Sequence, residues 1–174
     1  MQAGKELGAT GSGPQGTGLY TAEQRARRDS SKWTLVQGIL APVQFLVFGV
    51  SLVLVLRYLV TGEGMGAANV SVILKTLALY AIMITGALWE RDVYGQYLFA
   101  PAFFWEDVVS MAVIALHTAY LIALAGQLLT PAQRFSIALA GYLTYVINAG
   151  QFVLKLRAAR LQEARHLVAG TVGA

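Results

Sequence analysis

Cysteine is absent from the 174 residues. This excludes disulfides and thiolate metal sites, and it leaves the redox compartment unreadable. Charge is also scarce. Asp, Glu, Lys and Arg together make 13% of the chain, where a soluble domain carries about 25%. No HExxH, CxxC, Walker or GxGxxG pattern supports a metal, nucleotide or dinucleotide site. The net charge is +4, with the excess at the two ends. No basic groove interleaved with aromatics accompanies it, so the charge favours an anionic lipid surface or an anionic ligand over nucleic acid.

What is present is hydrophobic length. Apolar residues make 56% of the chain, and the mean hydropathy is +0.58. They concentrate in four runs, at 36–60, 70–89, 101–124 and 135–154. Each has about the 20 residues needed to cross ~30 Å of hydrocarbon. The expected fold is an all-α, integral membrane four-helix bundle with no second domain. Residues 1–18 are rich in Gly, Ser, Thr and Gln, lack an apolar period and read as disordered, with no apolar core of a signal peptide. Residues 20–32 read as a short surface helix, with Thr21 as N-cap and Gln24 three residues on. Three glycines in 61–69 mark a turn outside the bilayer. Residues 90–97 form a polar connection, and 126–134 a loop with Pro131. Pro101 suits the first turn of the third span. The membrane domain covers 19–167, its fourth span continuing as a basic amphipathic tail, and 168–174 read as flexible.

Basic residues flank the spans unevenly. Arg25, Arg27, Arg28 and Lys32 precede the first span, and Lys155, Arg157, Arg160 and Arg165 follow the fourth. The loop after span one has no Lys or Arg, and the loop after span three has Arg134 alone. By the positive-inside rule both termini are cytoplasmic, as an even number of spans also requires. Trp33, Trp89, Trp105 and many tyrosines suit an interfacial belt on that side.

Polar residues inside the spans are costly and point to use. Glu106 and Asp107 stand side by side at the start of span three. Glu106, Ser110, Val113, His117 and Tyr120 share one helix face, with His117 about 16 Å along the axis from Glu106. Asp107 is rotated about 100° from Glu106, so the two cannot point at one atom. Thr144, Asn148, Gln151 and Lys155 share a face of span four, and Gln37, Gln44 and Ser51 recur every seven residues on span one. Turned inward, these faces would line a polar pocket in the cytoplasmic half. Each residue also has a purely structural reading. Glu106 and Asp107 can sit at the helix N-terminus and pair with Arg91 or Lys155. His117, Asn148 and Gln151 can join helices. Lys75 is expected to snorkel to the outer surface, and the tail arginines to touch lipid.

Four runs carry a family likeness: Trp33-Thr34-Leu35-Val36-Gln37-Gly38-Ile39-Leu40-Ala41-Pro42, Tyr97-Leu98-Phe99-Ala100-Pro101-Ala102-Phe103-Phe104-Trp105-Glu106-Asp107, Leu116-His117-Thr118-Ala119-Tyr120, and Tyr145-Val146-Ile147-Asn148-Ala149-Gly150-Gln151-Phe152. Over about residues 19–163 the chain resembles the 3-vinyl bacteriochlorophyllide hydratases. The resemblance implies a hydro-lyase of bacteriochlorophyll biosynthesis. Such an enzyme adds water across the C3 vinyl group of chlorophyllide a or its bacteriochlorin counterpart, giving the 3-(1-hydroxyethyl) product. It brings no agreed residue roles with it.

The chemistry asks for an acid that holds its proton near neutral pH and for a base or acceptor for the water. Protonation of the terminal vinyl carbon leaves a cation that the macrocycle spreads, and water then adds at the carbon next to the ring. Glu106 is the expected proton donor. Asp107 is the expected partner of the water, with Glu90 or Asp92 as alternative acceptors. His117 is a candidate ligand for the substrate's magnesium or a ring carbonyl. Lys155, Arg157 and Arg91 are candidates for the pigment's propionate, and Asn148 and Gln151 for other substrate contacts. No resident cofactor or protein-bound metal is expected, since the magnesium belongs to the substrate. Expected partners are the pigment, membrane lipid, a second copy of the chain and neighbouring pigment-biosynthesis enzymes, in the bacterial inner (intracytoplasmic) membrane with the active site on the cytoplasmic side. The rival reading is a pigment carrier or photosynthetic-membrane assembly factor that holds a chlorin unchanged. A transporter fits less well, because no broken-helix repeat pair is visible.

Overall fold

The computed structural model describes residues 19–172, without the side chains of 162, 163 and 165–172. The expectations for 1–18, for 173–174 and for the Arg165 side chain fall outside that range. Among the described residues the protein is all helix: α1 (Ala22–Ser30), α2 (Lys32–Thr61), α3 (Met65–Tyr94), α4 (Phe104–Ala125) and α5 (Pro131–Val172). The last four are long and apolar enough to cross a membrane.

The short helix α1 forms where the capping pattern places it. The Thr21 hydroxyl accepts from the Gln24 N–H, and the Gln24 side chain accepts from the Thr21 N–H. This reciprocal pair satisfies two donors at the helix start. The spans are longer than their apolar runs. Helix α3 continues through the polar residues 90–94 and stops at Gly95, whose φ of 82° suits a residue without Cβ. Glu90, Arg91 and Asp92 therefore belong to the last turns of a helix and not to a loop. Helix α4 starts at Phe104, so Pro101 lies in the turn before it. Proline instead opens α5, at Pro131. That helix runs on to Val172, through residues expected to be a flexible tail.

Short connections make consecutive spans antiparallel neighbours. Helix α2 packs most closely on α3, and α4 on α5, while α1 lies against α3. The core between them holds Phe48, Val55, Val72, Val113, Tyr142 and Tyr145. A smaller aromatic cluster at the α1 end joins Tyr20, Val93 and Phe103 with Trp89, Tyr94 and Phe152. Apolar side chains such as Leu46, Val53, Ile84, Leu143 and Leu154 face outward. An apolar exterior over polar interior groups suits hydrocarbon surroundings.

Several interior polar groups bond one another. Ser51 meets the Ser71 hydroxyl at 2.8 Å and the Tyr142 hydroxyl at 2.5 Å. Gln37 donates to the Thr85 hydroxyl at 2.7 Å and to the Ile82 carbonyl at 3.3 Å. Lys75 departs from its expected place. It is fully enclosed, with its ammonium 3.6 Å from the centre of the Tyr145 ring. The reason lies in its register: Ala68, Val72, Lys75 and Leu79 form one buried stripe of α3, so the side chain starts on the inward face and cannot reach the surface.

Candidate active site at the carboxyl end of the bundle

Three acids meet where the C-terminal end of α3 faces the start of α4. Glu90, Glu106 and Asp107 are 5%, 5% and 3% exposed. The helical offset between Glu106 and Asp107 sends them to different neighbours. Glu106 turns toward α5 and pairs with the Lys155 ammonium at 2.5 Å. Lys155 also donates to the Ala102 carbonyl and lies 5.1 Å from the centre of the Phe103 ring. Asp107 turns away from Lys155, and it and Glu90 of α3 accept from two adjacent backbone N–H groups.

The segment 95–103 is tied down onto that carboxyl pair. The Phe99 N–H donates to Asp107 Oδ2 at 2.7 Å, and the next N–H, of Ala100, donates to Glu90 Oε2 at 3.1 Å. Phe99 holds a φ of 59°, a conformation disfavoured for a bulky residue. Two adjacent N–H groups on two adjacent carboxyls hold it there. Strain of this kind persists only where surrounding contacts over-determine the backbone, and it clusters at functional sites. Above the pair, Phe99, Phe104 and Trp105 form an outward aromatic row, with centroids 5.8 Å and 5.5 Å apart in sequence. Trp105 is 68% exposed.

The other expected site residues divide. Asn148 is buried and donates to the Ser110 hydroxyl at 2.7 Å, tying α5 to α4. Gln151 lies one turn nearer the carboxyl end, its Oε1 buried without a partner. Arg91 is exposed, donates to the Tyr97 hydroxyl and stacks over that ring at 4.8 Å. Asp92 points the other way and accepts from the Ser31 hydroxyl at 2.8 Å. Together with Arg27, Ser30, Ser31 and Lys32 it lines a surface hollow of about 330 Å³, away from the three acids. Arg157 is exposed.

His117 is fully enclosed, and its Nδ1 donates to the Val113 carbonyl at 2.8 Å. Gly141 of α5 lies against it; a Cβ there would stand 2.9 Å from the imidazole. A ring so covered does not offer its other nitrogen to a macrocycle. Among the described residues no cluster of His, Asp and Glu could hold a metal ion.

Sequence reasoning misplaced Lys75 and overlooked the Phe99 and Ala100 N–H groups. The stripe of Ala68, Val72, Lys75 and Leu79 was a readable signal for the first. Backbone donors in an irregular segment leave none.

The fold and the site together define a helical membrane protein with buried carboxyls gathered at one end of its bundle. Residues 20–158 match the 2-vinyl bacteriochlorophyllide hydratase family, and the chain belongs to that family. A 2-vinyl bacteriochlorophyllide hydratase of Rhodobacter capsulatus is 68% identical over 151 residues, covering 87% of this chain and 88% of that protein. Its namesake in Cereibacter sphaeroides is 69% identical over 144 residues, covering 82% and 89%. No solved structure matches the chain.

Proposed function

We propose that this protein hydrates the vinyl group of a bacteriochlorophyllide in bacteriochlorophyll biosynthesis, and that the Glu90–Asp107 pair supplies the proton. The vinyl position is 2 in the older tetrapyrrole numbering and 3 in the current one. Relatives about two-thirds identical over nearly their whole length, both named for this reaction, carry the reading.

The site supports a division of labour. Two buried carboxyls on adjacent N–H groups disfavour two charges side by side, so Glu90 and Asp107 form a proton store. An ion pair needs a carboxylate without its proton. The donor role expected for Glu106 therefore passes to the pair, and Glu106, oriented by Lys155, takes the part of acceptor for the attacking water. A proton moves from the pair to the terminal vinyl carbon. The water oxygen bonds to the carbon next to the ring. The surplus proton of that water leaves to Glu106 and returns to the pair. Atoms and charge balance without a resident cofactor.

The pigment plane would lie against Phe99, Phe104 and Trp105 from the lipid side, since aromatic faces stack favourably at such separations. Arg91, held by Tyr97 at the same end, would pair with the propionate; Lys155 is already engaged by Glu106. The basic flanks of the first and fourth spans favour a cytoplasmic position for both termini and for this end of the bundle in the bacterial inner membrane.

The experiment is direct. Purified protein in lipid nanodiscs receives 3-vinyl bacteriochlorophyllide a. Product heavier by one water, with a shifted absorption band, is the expected result. Pigment bound but returned unchanged would make the protein a carrier and overturn the reading.

A further inference from the structure

Phe103 stands between the carboxyl pair and the Glu106–Lys155 ion pair. Its N–H donates to the Ala100 carbonyl at 2.8 Å, and its carbonyl accepts from the Asp107 N–H at 3.0 Å. Both of those residues serve the carboxyl pair, Ala100 as the donor to Glu90 and Asp107 as a member. The ring serves the ion pair. It is 2% exposed and lies with its centre 5.1 Å from the Lys155 ammonium. Three groups from the stretch 102–106 thus hold that ammonium: the Ala102 carbonyl, the Glu106 carboxylate and the Phe103 ring. A lysine stem of four carbons leaves its ammonium free to swing between acceptors. A ring within about 6 Å attracts the cation and narrows that freedom.

The ring is itself fixed from several sides. It stacks on Phe152 of α5 at 5.7 Å with planes 22° apart, about one turn before Lys155 on the same helix. Trp89 and Tyr94 of α3 meet it at steep angles, with centroids 5.6 Å and 5.9 Å away. Trp89 Nε1 in turn donates to the Thr34 hydroxyl of α2 at 2.9 Å, and Tyr94 stacks on Tyr20 at 6.0 Å. Contacts from α3 and α5 converge on one ring, with α2 and the residue before α1 behind them. A phenylalanine that only fills space can give way to any apolar group of its volume. One that holds a cation needs the negative face of its ring.

We propose that Phe103 is a positioning residue of the hydration site: its ring face fixes the Lys155 ammonium, which aims the Glu106 carboxylate at the attacking water. The proposal rests on the acceptor role given to Glu106 above. The ring is enclosed, so it acts through Lys155 and not on the pigment.

The test replaces Phe103 by phenylalanines carrying one, two and three fluorines. Each fluorine weakens the negative ring face and barely alters the volume. In nanodiscs with 3-vinyl bacteriochlorophyllide a, kcat is expected to fall stepwise, by roughly fivefold across the series, with KM and Tm unchanged. The same series at Phe135, which is 1% exposed and belongs to the other core, is expected to leave kcat unchanged. A flat kcat at Phe103 beside a large loss in Glu106→Gln would overturn the proposal. So would an equal fall at Phe135, or a fall in kcat that Tm follows step for step, because either makes the ring packing alone. Full turnover in Glu106→Gln would instead strike the acceptor role, and the aiming with it. The contact between ring and ammonium has its own readout. In isotope-labelled protein the Lys155 side-chain protons beside the nitrogen should be shifted upfield by the ring current, and Phe103→Leu should remove that shift. A shift that persists in Phe103→Leu would overturn the contact, whatever the enzyme does.

Discussion

Single residues at this site do what their neighbours permit. The proton pair makes a sharp prediction. Asp107→Asn and Glu90→Gln should each lower turnover about 10²-fold or more, the usual weight of a positioned acid or base, with pigment binding retained. Full activity in both would remove the pair from the mechanism. Arg91→Gln should raise KM for the pigment and leave kcat nearly unchanged, because it removes a contact made equally before and during reaction. Gly141 shows the same dependence in packing. A Cβ there meets the His117 ring at 2.9 Å, so Gly141→Ala should destabilise the bundle by about 1–3 kcal/mol, seen as a lower Tm in detergent. Gly49→Ala and Gly150→Ala meet nothing within 4 Å and should leave Tm unchanged or raise it. A Tm for Gly141→Ala matching those controls would contradict the enclosure of His117. At this scale the acids and the histidine were legible in the sequence, because polar letters stand out in apolar runs. Their partners were not. Glu106 and Asp107 are chain neighbours, yet one bonds Lys155 of α5 and the other the Phe99 N–H of the segment between α3 and α4.

The elements show where apolar patterning misleads. Hydropathy ends a span where the polar letters begin, but a helix ends where its backbone is interrupted. Helix α3 therefore carries Glu90 on its own rigid last turns, opposite Asp107 on the first turn of α4. The reach between the two carboxyls is set by two helices rather than by a loop. Gly95 stops α3 with φ 82°, and an alanine there pays the left-handed penalty of about 1 kcal/mol. Gly95→Ala should accordingly loosen the segment 95–103, measurable as faster amide exchange at Phe99 and Ala100. Unchanged exchange at those two amides would mean that the carboxyl pair alone sets the segment. Lys75 was misread at this scale too. Distance from the span end suggested snorkelling, whereas the helical phase of Ala68, Val72 and Leu79 fixes the direction of the side chain.

For the whole molecule, the absence of cysteine makes sidedness directly testable. Single cysteines at Ser30 and Gln96 should react with an impermeant thiol reagent only from the cytoplasmic face, and those at Gly64 and Gln127 only from the opposite one. The reverse pattern would invert the bundle and move the carboxyl end outside. Arg57, paired with Glu63 at 3.8 Å, adds a cation to the outer end that the loops alone do not count, but the excess remains with the N-terminal and C-terminal flanks. The sequence by itself determined that the chain is helical, that four segments suit a bilayer, and that it belongs with the vinyl hydratases. The first two follow from composition, run length and local period, and the third from the likeness of four runs to the family, all of them properties of the chain read in order. Only the tertiary structure decided that Glu106 is held by Lys155, that Glu90 and Asp107 hold adjacent backbone N–H groups, and that Lys75 is enclosed. Each of these depends on the rotation of one helix about its axis relative to another, and packing between helices fixes that rotation.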